Sequence, residues 1–151
     1  MPRRQAAPAA KKKKSSKKKS IRALKKKAWV LLSQAIRLEQ RDANQHVTCI
    51  TCKVRLPWNK GAQAGHFIDG RMNSILFDER GIHIQCYACN VLYNGRKEEY
   101  FIYMLDNYGR AVIDEFRRLR NTERTFTAEE LEQLMAKYRA RIEKAKERQG
   151  I

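Results

Sequence analysis

Two Cys-x-x-Cys pairs, Cys49-Ile-Thr-Cys52 and Cys86-Tyr-Ala-Cys89, constrain this 151-residue chain more than any other feature. A Cys-x-x-Cys turn presents two thiolates from one backbone knuckle at the separation tetrahedral zinc requires, and two knuckles complete a four-thiolate site. The 33 residues between Cys52 and Cys86 must then build a structure of their own across the staple. The competing reading, a redox-active dithiol, calls for a thioredoxin-like βαβ context that is absent, and a reducing cytosol favours metal ligation over disulfides. A closed four-thiolate site has no open position, so zinc on Cys49, Cys52, Cys86 and Cys89 is expected to hold the fold and leave chemistry to other groups.

Size makes such a staple useful, because a single domain with only about 115 to 125 residues outside its tail buries a small core. The formal charge of +17 is unevenly placed: residues 1–27 contain 13 Lys/Arg and no Asp/Glu, leaving 20 basic against 16 acidic residues, a net of +4, in the rest. Residues 1–19 lack apolar periodicity and read as a disordered basic arm, since burial cannot offset their ordering entropy. Its lysines, Lys11, Lys12, Lys13, Lys14, Lys17, Lys18 and Lys19, suit sequence-independent contact with nucleic-acid phosphate, or else serve as a solubilising or localisation-like run. Unbroken apolar runs such as Ala28–Leu32 are too short for a membrane span or a signal-peptide core. The expectation is a soluble, unexported, cytoplasmic protein with no membrane partner.

Residues 20–150 are expected to form one folded domain. Ser20 is a candidate N-cap, after which Ile21, Leu24, Ala28, Leu31, Ala35 and Leu38 recur at spacings of three and four, as in an amphipathic helix of about 20 residues. Arg22, Lys25, Lys26 and Lys27 crowd its first turns, where cations oppose the helix dipole at a cost of a few tenths of a kcal/mol each. Phosphate contact would explain them. Between His46 and Leu92 the helical period gives way to short apolar runs and turn residues, and Gly81–Gln85 alternates as a half-buried strand does. His46 reads as a loop histidine without a role. Tyr100, Tyr103 and Met104, then Val112, Ile113, Phe116 and Leu119 beyond a break at Gly109, restore helical spacing. Thr127-Ala-Glu-Glu130 has the capping-box pattern of a last helix carrying Leu131, Leu134, Met135, Tyr138 and Ile142.

The order Cys-x-x-Cys, Gly65-His66, Cys-x-x-Cys-Asn90 resembles the HNH, or ββα-metal, nucleases in the zinc-stapled form of phage recombination endonuclease VII. More closely, "AGHFIDGR", "IHIQCYACN" and "YNGRKEEYFIYMLDNYG" are similar to the NinG (Rap) recombination proteins of lambdoid phages, over about residues 28–120. The resemblance implies an α+β fold: a zinc-stapled, HNH-like ββα-metal core flanked by N- and C-terminal amphipathic helices. It also implies catalytic roles for His66, as the base that activates water, and for Asn90, as a ligand of one divalent metal such as Mg²⁺. Two positions depart from the pattern. Gly65 stands where the family places an Asp ligand, and Gly81 stands where the motif has its middle Asn. The carboxylate ligand is thus unassigned, and Asp69, Asp78 and His83 are the candidates for the catalytic metal.

Phosphodiester hydrolysis needs a nucleophile made from water, neutralisation of charge on phosphorus and help for the leaving alkoxide. A histidine titrating near 6.5 is the natural base at neutral pH, and a hard oxygen-ligated cation can serve the other two needs. The expected function is therefore a metal-dependent DNA endonuclease of phage recombination that cuts branched DNA or Holliday junctions. Symmetric cutting implies a homodimer through the helical segments. The alternative is a non-catalytic, zinc-finger-like nucleic-acid-binding module, in which His66 is satisfied structurally and Asn90 is a helix N-cap.

Overall fold

Ser20 caps the first helix as its side-chain oxygen accepts from the Ala23 N–H at 3.2 Å. The computed structural model describes residues 20–148, so the basic arm (1–19), with the role expected for its lysines, and positions 149–151 lie outside the described residues. Helix α1, Ile21–Gln40, buries Leu24, Ala28, Leu32, Ala35, Ile36 and Leu38. The buried stripe is turned slightly from the expected one, since Ile21 is exposed and Leu31 only partly covered while Leu32 and Ile36 go inside. Its partner is α4, Ala128–Glu147, which opens on a complete Thr127/Glu130 capping box and buries Leu131, Met135, Tyr138, Ile142 and Ala145. An Arg141 guanidinium shared between Glu39 on α1 and Glu79, with contacts of 2.7 and 2.8 Å, fixes the register of the pair.

Between these helices lie two small antiparallel ladders, giving a mixed α+β fold. Strand β1 (His46–Thr48) pairs with β2 (Arg55–Pro57), and β3 (Ala62–His66) pairs with β4 (Ile82–Cys86) so that Gly65 faces His83 and His66 faces Ile82. His46 therefore begins a strand and is not a loop residue. The half-buried alternation expected of β4 is also corrected: Ile82, His83, Ile84 and Gln85 are all buried. Ile82 and Ile84 join the core under α1 and α4, while Tyr100, Tyr103 and Tyr108 cover His83 from the other side.

Those aromatics come from α2 (Lys97–Tyr108), which Gly109, at φ 82°, separates from α3 (Arg110–Leu119). A positive φ of this kind favours glycine. Buried Tyr100 donates its hydroxyl to the Gly65 carbonyl at 2.7 Å, and Phe116 of α3 lies directly over Gly81. A Cβ at Gly81 would sit 2.5 Å from the Phe116 ring, so only glycine allows this approach. Arg80 adds an ionic tie, bridging Asp78 at 2.6 Å and Glu115 at 2.8 Å. Among the described residues no helix is long and apolar enough to cross a membrane.

The two cysteine knuckles close this assembly. Cys49 follows β1, Cys86 ends β4, and the Ile50 N–H donates to the Ile84 carbonyl at 2.9 Å, which brings the knuckles side by side. The four sulfurs lie within 4.8 Å of one another, with Cys52 and Cys86 at 3.7 Å. A Zn–S bond of about 2.3 Å implies tetrahedral S–S edges of about 3.8 Å, so the geometry fits a four-thiolate metal site. Burial opposes ionisation of Cys49, yet the amides of Cys52, Cys86 and Thr51 and the Thr51 hydroxyl draw its thiol down to about 6. Burial, then hydrogen bonding of the protonated thiol to the sulfurs of Cys89, Cys49 and Cys86, push Cys52 up to about 12. A bound dication removes that conflict. Arg96 lends further positive charge, its Nε 3.1 Å from the Cys89 sulfur. The four cysteines are thus placed to hold a metal ion such as zinc.

Two expectations follow from this architecture. Metal binding at a four-thiolate site contributes about 10 kcal/mol and couples to folding, so Cys89→Ser should abolish cooperative unfolding by circular dichroism. Elemental analysis should find one zinc per chain, and a metal-free, cooperatively folded protein would contradict the staple. Gly81→Ala forces the Phe116 ring to move and should destabilise the fold by about 1–3 kcal/mol in urea denaturation, with the metal retained.

Candidate functional site

Alternation along β3 sends its side chains to two different environments. Ala62, Ala64 and His66 face α1, whereas Gln63 and the open side of Gly65 face the π-helical turn Ala88–Leu92 that follows the second knuckle.

His66 is held on two sides. Its ring stacks on Trp29 of α1 with centroids 4.4 Å apart and planes 24° from parallel, and its Nε2 lies 3.1 Å from the Leu76 carbonyl. A carbonyl can only accept, so Nε2 carries the proton and Nδ1 keeps the lone pair. Burial lowers the pKa below 6.5, and the positive charges of Arg71 and Lys97 act in the same direction against the Leu76 carbonyl and Asp69. The imidazole is therefore neutral at neutral pH with one unshared nitrogen.

Cations surround it. An open pocket of about 370 Å³ is lined by Arg22, Lys25, Lys26, Trp29, Arg71 and Leu76, and the Arg71 guanidinium lies 5.3 Å from the centroid of the Trp29 ring. Positions 22, 25, 26 and 29 share one helical face, so the expected α1 cations, except Lys27, gather beside Trp29, on which His66 stacks. Lys27 turns instead to an apolar groove with Val30 and Met135. Lys97 Nζ donates to the carbonyls of His66 and Phe67 at 3.0 and 3.1 Å and pairs with Asp69 at 2.9 Å, clamping the start of α2 to the end of β3.

Asn90 occupies the middle of the π-helical turn and is not an N-cap; that place belongs to Tyr87. Its Nδ2 donates to Gln63 Oε1 at 2.7 Å. A Cβ at Gly65 would lie 2.8 Å from Asn90 Oδ1 and 2.2 Å from Gln85 Oε1, so two amide oxygens converge on a space that any larger residue would fill. Gln85 is wholly buried, donates Nε2 to the Gly95 carbonyl at 2.8 Å, and leaves Oε1 without a partner among the described residues.

The three remaining candidates are engaged elsewhere. Asp69 is exposed and paired with Lys97. Asp78 accepts from the backbone and guanidinium of Arg80, and His83 Nε2 lies 2.8 Å from the Arg80 carbonyl within the tyrosine cluster, where burial lowers its pKa. Among the described residues the four cysteines are the one cluster of His, Cys, Asp or Glu placed to hold a metal, and Asp69, Asp78 and His83 do not form a second. The structure thus groups His66 with α1 cations and groups Asn90 with Gln85, on opposite sides of β3. Trp29, Arg71, Gln85 and Lys97 escaped sequence reasoning. Trp29 alone carries a signal there, as an aromatic on the lysine face of an amphipathic helix.

The chain matches the family model described as Bacteriophage Lambda NinG protein over residues 2–148. It is 30% identical over 125 residues to Protein ninG of Escherichia phage 933W, covering 80% of this chain and 60% of that protein. Identity is 29% over 125 residues to Protein ninG of Salmonella phage P22 and of Escherichia phage lambda, covering 80% of this chain and 59% of each relative. The chain therefore spans about 60% of the length of these curated relatives. No solved structure matches it. With its four cysteines, His66 and Asn90 all inside the matched span, this chain belongs to the NinG family.

Proposed function

We propose that this chain is a metal-dependent DNA endonuclease of phage recombination, acting on branched DNA such as Holliday junctions through an HNH-like ββα-metal core. The observation that carries the reading is His66: a neutral imidazole, tied through Nε2 to the Leu76 carbonyl and stacked on Trp29, two residues that line a pocket of cations. That is the protonation state of a general base. Arg22, Lys25, Lys26 and Arg71 attract and orient a phosphodiester, and His66 Nδ1 takes a proton from the attacking water. The succession of antiparallel β3 and β4, then a helical turn and α2, supports the ββα comparison.

The metal of this reading is a hard divalent cation such as Mg²⁺; the family pattern implies Asn90 as its ligand, across β3 from His66, so catalysis would require a substrate phosphate that reaches both faces of the strand. When bound, such a cation neutralises phosphoryl charge and supports the leaving alkoxide. Branch preference rests on the family. Symmetric cleavage calls for two sites, hence a homodimer. Exposed Phe101, Ile102 and Leu105 on α2 support that assembly. One observation favours a second reading, a zinc-dependent nucleic-acid-binding protein without catalysis: among the described residues no metal-holding group of carboxylates or histidines includes a neighbour of Asn90.

Cleavage of a synthetic four-way junction, with linear duplex and RNA alongside, in Mg²⁺ or EDTA, decides between them. His66→Ala should lower the cleavage rate by about 10²-fold or more while junction affinity is kept. Metal-independent cleavage, or a normal rate in this variant, would overturn the assignment. Asn90→Ala should raise the Mg²⁺ concentration needed for half-maximal rate. The base must be unprotonated and its pKa is lowered, so the rate should hold through pH 6.5 and fall only at more acid pH. An acid limb centred above 6.5 would show that another group titrates.

A further inference from the structure

Beyond residue 27 the net charge is only +4, yet that charge is not spread evenly. The end of α3 and the loop after it hold Arg117, Arg118, Arg120 and Arg124 against one acid, Glu123. All four arginines are exposed. Arg117 lies 3.6 Å from Asp114, and Arg124 meets Glu130 at 3.3 Å and the Phe126 ring at 4.6 Å. Arg118 and Arg120 form no ion pair among the described residues. With Asp114, Arg117 and Asn121 they line an open pocket of about 540 Å³. Guanidinium groups gathered round an open space repel one another until an anion enters, and their planar donor forks suit phosphate.

Their place relative to His66 is fixed. Phe116, one residue before Arg117, packs against Phe67, one residue after His66, with centroids 6.5 Å apart. Glu115 takes the Arg80 guanidinium from the other side of the ladder. Ser74 donates its hydroxyl to the Leu119 carbonyl at 2.6 Å and Asn73 donates to the Arg124 carbonyl at 2.8 Å, so the segment that carries Arg71 docks on the arginine cluster. Arg71 and Ser74 are three residues apart, at most about 11 Å of chain. One short loop therefore separates the cations beside the His66–Trp29 stack from those of α3.

We propose that the arginine end of α3 is a second DNA-backbone site, which grips phosphates separate from those that reach His66. The proposal rests on the reading that this protein binds DNA. It assigns Arg118 and Arg120 as the principal contacts, because neither forms an ion pair among the described residues, and makes the Arg71 to Ser74 segment the link between the two sites.

The test is a salt titration of junction and duplex binding by fluorescence anisotropy, using the full chain and its R118Q/R120Q and R118K/R120K variants. Each lost phosphate contact flattens the plot of log K against log salt by about 0.9 on duplex DNA. The glutamine variant should thus lose about 1.8 in slope, with weaker binding at low salt, and the lysine variant should keep the parent slope. Both side chains are exposed, and thermal melting should show the fold unchanged. A glutamine variant with the parent slope would overturn the proposal and leave DNA binding itself standing. A slope lost equally in the lysine variant would also overturn it, since charge alone would not account for the change. Parent protein that bound no DNA would instead sink the underlying reading.

Discussion

Four sulfur atoms within 4.8 Å of one another join the end of β1 to the end of β4, and the placement of everything between them depends on that closure. The enclosed segment is long and its strands short, five residues at most, so ladder hydrogen bonds alone do little to define it. With the knuckles joined, β4 stays against β3 and the π-helical turn stays against Gln63. Arg96 then passes the constraint on: it touches the Cys89 sulfur and directly precedes Lys97, which holds the carbonyls of His66 and Phe67. The cysteine cluster and the histidine are thus linked through two consecutive side chains.

Close approach at two glycines shapes what lies on either side of the β3–β4 ladder. Gly81 admits Phe116 and so brings α3 against the strand ends; Gly65 admits the amides of Gln85 and Asn90. These are also the two positions at which the sequence departs from the motif expected of an HNH-like core. In each case the space that a longer side chain would fill is taken by a neighbour. The departures are therefore coupled to their surroundings, and a change at Gly65 would have to displace Gln85, whose nitrogen is anchored on the Gly95 carbonyl.

Local signals in the sequence were reliable where the deciding interaction is itself local. Ser20, the break at Gly109, the Thr127 capping box and the paired cysteines all act within a few residues, and each has its expected place. Burial of His83 and Gln85 was not legible, because the tyrosines and backbone that cover them come from α2 and from the turn beyond the second knuckle. Asp69 and Asp78 offered carboxylates in the right part of the chain, but their partners Lys97 and Arg80 could be read only from three-dimensional neighbours. Counting net charge hid the arginines of α3, since the acids that balance them in the total lie elsewhere.

The pairing of α1 with α4 sets the order in which this chain can fold. The Arg41 guanidinium reaches the Ala145 carbonyl across 104 residues of sequence, and the apolar stripe of Leu24, Ala28, Leu32 and Ala35 has α4 as its main helical partner. Contacts this distant form late, after the loop between them has been closed. At a synthesis rate of about 5–20 residues per second, the stripe of α1 waits some 5–20 s for α4 to emerge. During that interval the knuckles and ladders can assemble from nearer contacts while the part of α1 that packs on α4 remains uncovered. A chain truncated before Thr127 would remain in that half-closed state, with an intact cysteine region and an exposed apolar helix open to aggregation.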